Sequence, residues 1–300
     1  MTQEQNWQGS FAIPMTPFNE KDQIDEEVLA AELDFCISAG AQGLVTPVMV
    51  SEFFVLSETE RRLMVRRAVE ASKGRIPVIA NVAAVNTPLA VSYAREAQEA
   101  GAAGVIAMPP YITHPDWENT FAYYKAISDV VSMPVWIQNA GMAGLSTDQV
   151  ITLCTEIEHV GWVKEEVDPS PRRIGALVER DCAAVKGVMG GAGGRYLITE
   201  RERGAKGVVH ACQFCDVVQH IWDLLEAGRK GEAGDLFEHL LPALVLEGLM
   251  GMAFAKEIMV RRGIFQDNRM RLAAHPLDRQ DFDEIDRVWE RIQPYLTWRR

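Results

Sequence analysis

Eight short apolar runs recur along the chain, at 11–15, 43–49, 77–82, 104–108, 134–138, 162–166, 184–189 and 207–210. Between them lie stretches with apolar residues at i, i+3, i+4 spacing, such as 26–39, 58–72, 88–100 and 117–131, the pattern of amphipathic helices. Helix boundaries carry suitable residues. Ser57 stands three positions before Glu60 and Ser146 three before Gln149, both capping boxes. Gly40, Gly74 and Gly101 fall where helix C-termini are expected. Eight strands alternating with helices predict an α/β fold, a (β/α)8 TIM barrel. The near-continuous apolar strands suit a parallel sheet covered on both faces. A doubly wound open sheet predicts a glycine-rich phosphate turn after the first strand. Ile13-Pro14-Met15-Thr16-Pro17-Phe18 is not one.

After the eighth run the chain reads as helix from 214 to about 262 and again over 281–295, with a polar loop at 266–279. Leu236, Leu240, Leu241, Leu244 and Leu246 form its apolar stripe. The expected organisation is a barrel over 1–212, then the last barrel helix and a C-terminal helical extension over 213–300.

Composition narrows the partners. Of 300 residues, 48% are hydrophobic and 24% charged, with a net charge of −12. That balance argues against nucleic acid or an anionic membrane surface as a partner, yet allows an anionic small molecule at a locally cationic site. The five cysteines form no disulfide framework. Residues 1–6 lack the basic and apolar regions of a signal peptide, and no apolar run approaches the roughly 18 residues of a membrane span. A cytoplasmic location is expected, and no cofactor or metal is implied.

In a barrel of this kind the chemistry sits at the C-terminal strand ends. Those ends bring up Thr16, Val50, Ser51, Tyr111, Gln138, Asn139, Lys164, Glu165, Glu166, Gly190, Gly191 and His210. Lys164 is the centre of interest. A lysine at the end of a buried strand is held where desolvation favours its neutral, nucleophilic amine, and such an amine forms a Schiff base with a carbonyl substrate. The alternative is a strand-end lysine in a structural ion pair. Lys164 and Glu166 are two apart and share a face, whereas Glu165 points the opposite way. Glu166 is therefore the candidate proton carrier beside Lys164. Gln138 can position a hydroxyl or water but cannot act as acid or base. Ser51, with neighbouring amides, is the candidate holder of a substrate carboxylate. Gly190 and Gly191 leave room for substrate. His210 lines the site or is a hydrogen-bonded structural histidine, and both readings stand. Cys212 and Cys215 read as buried thiols at a helix start, and His114 as a surface-loop residue.

Taken together, Thr16-Pro17-Phe18, Ile24-Asp25, Ser51-Glu52, Leu56-Ser57-Glu58-Thr59-Glu60-Arg61, Pro109-Pro110-Tyr111 and Val163-Lys164-Glu165 resemble the dihydrodipicolinate synthase / N-acetylneuraminate lyase family of Schiff-base (β/α)8 enzymes over roughly residues 9–265. The resemblance implies that Lys164 forms an imine with the C2 keto group of a 2-oxo acid. It also implies a homo-oligomer, a tetramer built from dimers. The departures matter as much. The family's glycine–threonine–threonine loop reads Val48-Met49-Val50, its catalytic tyrosine is Gln138, and the tyrosine exchanged between synthase subunits falls at Ile112. The synthase relay of three hydroxyls is absent. Ser51-Glu52-Phe53, Gln138, Glu166, Gly190-Gly191, Glu200 and Arg203-Gly204-Ala205-Lys206-Gly207 look more like the L-2-keto-3-deoxyarabonate dehydratase branch. That resemblance implies dehydration of a 2-keto-3-deoxy sugar acid. A pyruvate-yielding retro-aldolase and a non-catalytic binder on the same scaffold are the alternatives.

Overall fold

The structure, a computed structural model, describes residues 6–272 and 276–298. Eight parallel strands close into a barrel in chain order: β1 (Gly9–Ile13), β2 (Gly43–Thr46), β3 (Val78–Asn81), β4 (Gly104–Ala107), β5 (Val135–Asn139), β6 (Val160–Glu165), β7 (Gly187–Gly190) and β8 (Gly207–Ala211). β1 pairs with β8 from Gly9↔Gly207 to Ile13↔Ala211 and shuts the ring. The TIM barrel expected from the alternation is present. Between the strands run α1 (Glu26–Ser38), α2 (Glu58–Ser72), α3 (Thr87–Glu99), α4 (Trp117–Ser128), α5 (Thr147–Glu156), α6 (Ser170–Glu179) and α7 (Leu197–Glu202). Then follow α8 (Cys215–Glu226), α9 (Lys230–Met250), α10 (Met252–Arg261) and α11 (Arg279–Ile292).

The strands differ from the sequence reading at their ends. β2 stops at Thr46 rather than reaching 49. Pro47 has no N–H for the ladder, and the chain turns into a 3₁₀ turn at Met49–Ser51. β6 starts two residues early, at Val160, and β7 three late, at Gly187. The tail is broken by Gly228 and Gly251, both at positive φ, into three helices rather than one continuous stretch. Of the expected polar loop at 266–279, residues 273–275 lie outside the described residues.

Period-two alternation sorts side chains into an inner and an outer layer. Ile79, Ile106, Trp136, Trp162, Met189 and Val209 share the inner cluster with Phe11. Val105, Val135, Ile137, Val163 and Val188 belong to the outer cluster under α3–α6. The lower lumen is filled by rings. Trp136 stacks on Trp162 with centroids 5.2 Å apart, and Trp7 closes over both at 5.4 and 5.1 Å. Gly187 makes this possible, because a Cβ there would overlap the Trp162 ring. The next inward residues above the two tryptophans, Gln138 and Lys164, therefore stand on an aromatic floor.

Candidate active site

β5 and β6 lie in register with Gln138 opposite Lys164 and Asn139 opposite Glu165. The inner pair and the outer pair are thus fixed by the same ladder. Glu166 N donates to Asn139 O at 2.8 Å, so the β geometry extends one residue past β6 and keeps Glu166 on the Lys164 side. Lys164 is 4% exposed, and its Nζ pairs with Glu166 Oε1. Gln138 is buried, and its Nε2 has no hydrogen-bond partner. An orphaned buried amide donor carries a penalty of about 1–3 kcal/mol, which a bound acceptor relieves. An amine, a carboxylate and a free amide donor thus gather above an aromatic floor.

Gly191 lies directly against Glu166. A Cβ there would collide with the glutamate side chain, and one on Gly190 would collide with the Glu200 carboxyl. Glu200 is itself buried, accepts from Ser170 Oγ at 2.6 Å, and is pushed up to about 7 by burial. Its pairing with Ser170 puts it behind the strands, on the side of α6 and α7.

The loop after β2 is held from both sides. Thr16 Oγ1 donates to Ser51 O at 2.6 Å, and Ser51 Oγ donates to Pro14 O at 2.6 Å. Ser51 N and Glu52 N donate to Val48 O and Met49 O. Ser51 must therefore redirect its proton from Pro14 to hold a carboxylate. Val50, half-buried, packs on the inner cluster. Glu52 adopts the left-handed conformation at φ 55 and, fully buried, meets Lys256 Nζ of α10 at 2.5 Å. The C-terminal extension is thereby tied to the loop that bears Ser51. Tyr111 is half-buried and stands edge-on to Phe53, with centroids 5.7 Å apart. Burial pushes its hydroxyl up, opposed by Arg61.

Two residues read as site candidates face away. Asn139 points to the outer layer, where its amide donates to Leu145 O and Glu165 Oε2 and its oxygen accepts from Leu145 N. His210 stands one residue after the inward Val209. Its Nε2 lies 2.7 Å from Ser10 Oγ and its Nδ1 2.8 Å from Ala211 O. Of the two open readings for His210, the geometry matches the hydrogen-bonded one. Burial pulls its imidazole down to about 4. Both corrections follow from parity: a polar residue one step out of phase cannot reach the lumen. His114 is exposed. Cys212 and Cys215 are buried, and Cys212 Sγ donates to Glu32 Oε1 at 3.2 Å.

Gln213, Arg195 and Glu247 carry no motif signal in the sequence. Gln213 follows β8, is 1% exposed, and donates through Nε2 to Glu247 Oε2 of α9 at 2.6 Å. Glu247 is pushed up to about 7 by burial, against Gln213 and Arg195. Only the folded path of α9 brings these positions together.

The comparisons with known proteins agree with this geometry. The model of the Dihydrodipicolinate synthetase family matches residues 6–291. The chain is 28% identical to L-2-keto-3-deoxyarabonate dehydratase of Azospirillum brasilense over 97% of this chain and 96% of that protein. It is 38% identical to the 4-hydroxy-tetrahydrodipicolinate synthase of Rhodospirillum centenum, over 44% of this chain and 45% of that one. The solved 4-hydroxy-tetrahydrodipicolinate synthase of Methylacidiphilum fumariolicum SolV superposes with a TM-score of 0.89 at 25% identity, covering 97% of both chains. A prophage protein of the dihydrodipicolinic acid synthase family from E. coli K12, solved with pyruvate, shares the fold at a TM-score of 0.89 and 22% identity, covering 96% and 99% of the two chains. The barrel, the buried strand-end lysine and the family match across the chain lead to one assignment: this protein belongs to the dihydrodipicolinate synthetase family of TIM-barrel lyases.

Proposed function

We propose that the chain is a Schiff-base lyase that dehydrates a 2-keto-3-deoxy sugar acid of the L-2-keto-3-deoxyarabonate type. The observation that carries the reading is the Lys164–Glu166 pair on the inner face, with Gln138 opposite where a hydroxyl relay would need a tyrosine. Lys164 Nζ attacks the C2 carbonyl, and water leaves as the imine forms. The iminium draws electrons from C3, and the Glu166 carboxylate takes a C3 proton. The resulting enamine expels the C4 hydroxyl, which departs as water with the proton from Glu166. A C3=C4 bond conjugated to the iminium remains; loss of a C5 proton and gain of one at C3 convert it to a C4=C5 enol, which tautomerises to the aldehyde. Hydrolysis restores Lys164, so the net change is loss of one water. Gln138 Nε2 orients a substrate oxygen, and Ser51 turns its proton from Pro14 O to the substrate carboxylate. Gly190 and Gly191 form the wall beside Glu166. Tyr111 and Thr16 border the same end of the barrel.

The reading includes a cytoplasmic homo-oligomer, dimer or tetramer, with a small 2-oxo acid or keto-deoxy sugar acid as its ligand. Exposed Phe54, Ile112 and Met142, from loops after β2, β4 and β5, suit a covered face. Borohydride reduction in the presence of pyruvate, followed by peptide mass spectrometry, tests the imine, with an adduct expected on Lys164. Product analysis tests the reaction: a semialdehyde of unchanged carbon count is expected. Release of pyruvate would establish the retro-aldolase instead. Absence of any adduct in folded protein would overturn the Schiff-base reading.

A further inference from the structure

The loop after β7 carries two glycines, two residues apart, each packed against a carboxylate. Gly191 meets Glu166; a Cβ on Gly193, at φ +67, would lie 2.9 Å from Glu247 Oε1 and 3.4 Å from Arg195 Nη1. Glu247 comes from α9, outside the barrel strands, and reaches the same loop from above. Arg195 Nη1 lies along the backbone of α9, where a Cβ on Gly248 would be 3.1 Å away. Gln213, just beyond β8, completes the group through its 2.6 Å bond to Glu247 Oε2.

One buried acceptor here has no partner, and two charged groups stand beside it. Gln213 Oε1 is buried without a partner. Half-buried Glu247 accepts from Gln213 through Oε2, and its Oε1 accepts no hydrogen bond among the described residues. The Arg195 guanidinium pairs with no carboxylate among the described residues, although its charge acts on both Glu200 and Glu247. Buried polar atoms such as Gln213 Oε1 are nearly always satisfied, and with half-buried Glu247 and Arg195 at the loop whose Gly191 meets Glu166, the group calls for a ligand that both donates and accepts.

We propose that Glu247, Gln213 and Arg195 form the distal half of the substrate site and read the hydroxyl groups at the end of the substrate remote from the imine carbon. This rests on the reading of Lys164 given above. The chemistry selects the class of tail. A second anionic group would face Glu247, and a cationic one would face Arg195. A neutral polyol satisfies all three: its hydroxyls donate to Glu247 Oε1 and Gln213 Oε1 and accept from Arg195. Glu247 is a specificity residue in this scheme and takes no part in imine formation.

The test compares ligands with and without a tail. Half-saturation of borohydride trapping at Lys164 is measured for pyruvate and for a 2-keto-3-deoxy pentonate, in wild type, Glu247→Ala, Glu247→Gln and Arg195→Met. Circular dichroism checks the fold of each variant. The wild type is expected to bind the pentonate tighter than pyruvate. Glu247→Ala should weaken the pentonate by about 30-fold, the scale of a hydrogen bond to a charged group. Its pyruvate value should move by less than about 3-fold. Glu247→Gln, which keeps an acceptor, should recover part of the loss, and Arg195→Met should show the same tail-dependent pattern more weakly. Equal losses for both ligands, no loss for either, or wild type binding the pentonate no tighter than pyruvate would each overturn the inference while leaving Lys164 in place. Wild type that traps neither ligand overturns the Schiff-base reading, and this one with it.

Discussion

Glu165 and Glu166 are adjacent in sequence and opposite in surroundings. Glu165 is fully buried behind the barrel, where Asn139 Nδ2 donates at 2.8 Å, Val167 N at 2.9 Å and Arg173 Nε at 3.1 Å. Glu166 faces the lumen, lies against Gly191 and pairs with the amine of Lys164. The same side-chain chemistry thus gives a carboxylate held by the fold on one face and one paired with the lumen lysine on the other. The comparison extends across the neighbouring strand: Asn139 makes three hydrogen bonds outside, while Gln138 has a free Nε2 inside. On these two strands the outward amide is held by the fold, and the inward amide keeps a donor free for a ligand.

The sharpest way to break that contrast is at Lys164. Lys164→Ala should abolish borohydride trapping and lower turnover by about 10⁴-fold or more, the scale seen when a nucleophile is removed. Glu166→Gln comes next. Turnover should fall by about 10²–10⁴-fold, as for loss of an acid–base group, while the adduct on Lys164 still forms. If Glu166→Gln turns over normally, the proton carrier lies elsewhere.

Glu165→Gln should show the reverse signature. It leaves Arg173 without its carboxylate, so stability should fall by about 2–3 kcal/mol, read as a lower midpoint in urea. A loss of turnover without a loss of stability would put Glu165, and not only Glu166, in the chemistry. On the opposite side of the barrel, Lys256→Met strands buried Glu52. It should lower stability by about 3–5 kcal/mol and weaken binding of the 2-oxo acid through the loop that carries Ser51.

The smallest effects concern titration. His210 is held neutral, at about 4, mainly by burial. Below its unfolded value of about 6.5 the unfolded chain takes up a proton that the native imidazole refuses. Stability from this site is therefore full above that value and lost as pH falls towards 4. Glu32 has the opposite sign. Burial raises it to about 8, so its contribution is lost as pH rises from the usual carboxylate range through 8. Melting temperatures of His210→Gln and Glu32→Gln against wild type, across pH 4–9, should differ from wild type with opposite slopes in these two windows.

Much of this was legible in the residues. The eight apolar runs and their helical spacers predicted the barrel, because a buried parallel strand needs apolar residues on both faces. The two-residue spacing of Lys164 and Glu166 predicted their shared face, because a strand repeats every two residues. Strand ends were read less well. Asn139 and His210 sit at the right height for a site, but a one-residue difference in phase puts them behind the wall. His210 needed the position of Val209 in the lumen to settle its direction.

What the sequence determined by itself is local and periodic: the strand–helix rhythm, the helix caps, and the pairing of a lysine with the carboxylate two places on. The tertiary structure decided what depends on distant segments meeting. Glu247 reaches the β7 loop only because α9 returns over the barrel, and Lys256 reaches Glu52 only because α10 follows it. The hydrogen bond joins residues 34 apart in sequence, and no periodicity in the chain records such a contact. The return of α9 and α10 over the barrel brings these partners together, and burial shifts the ionisation of groups such as Glu247.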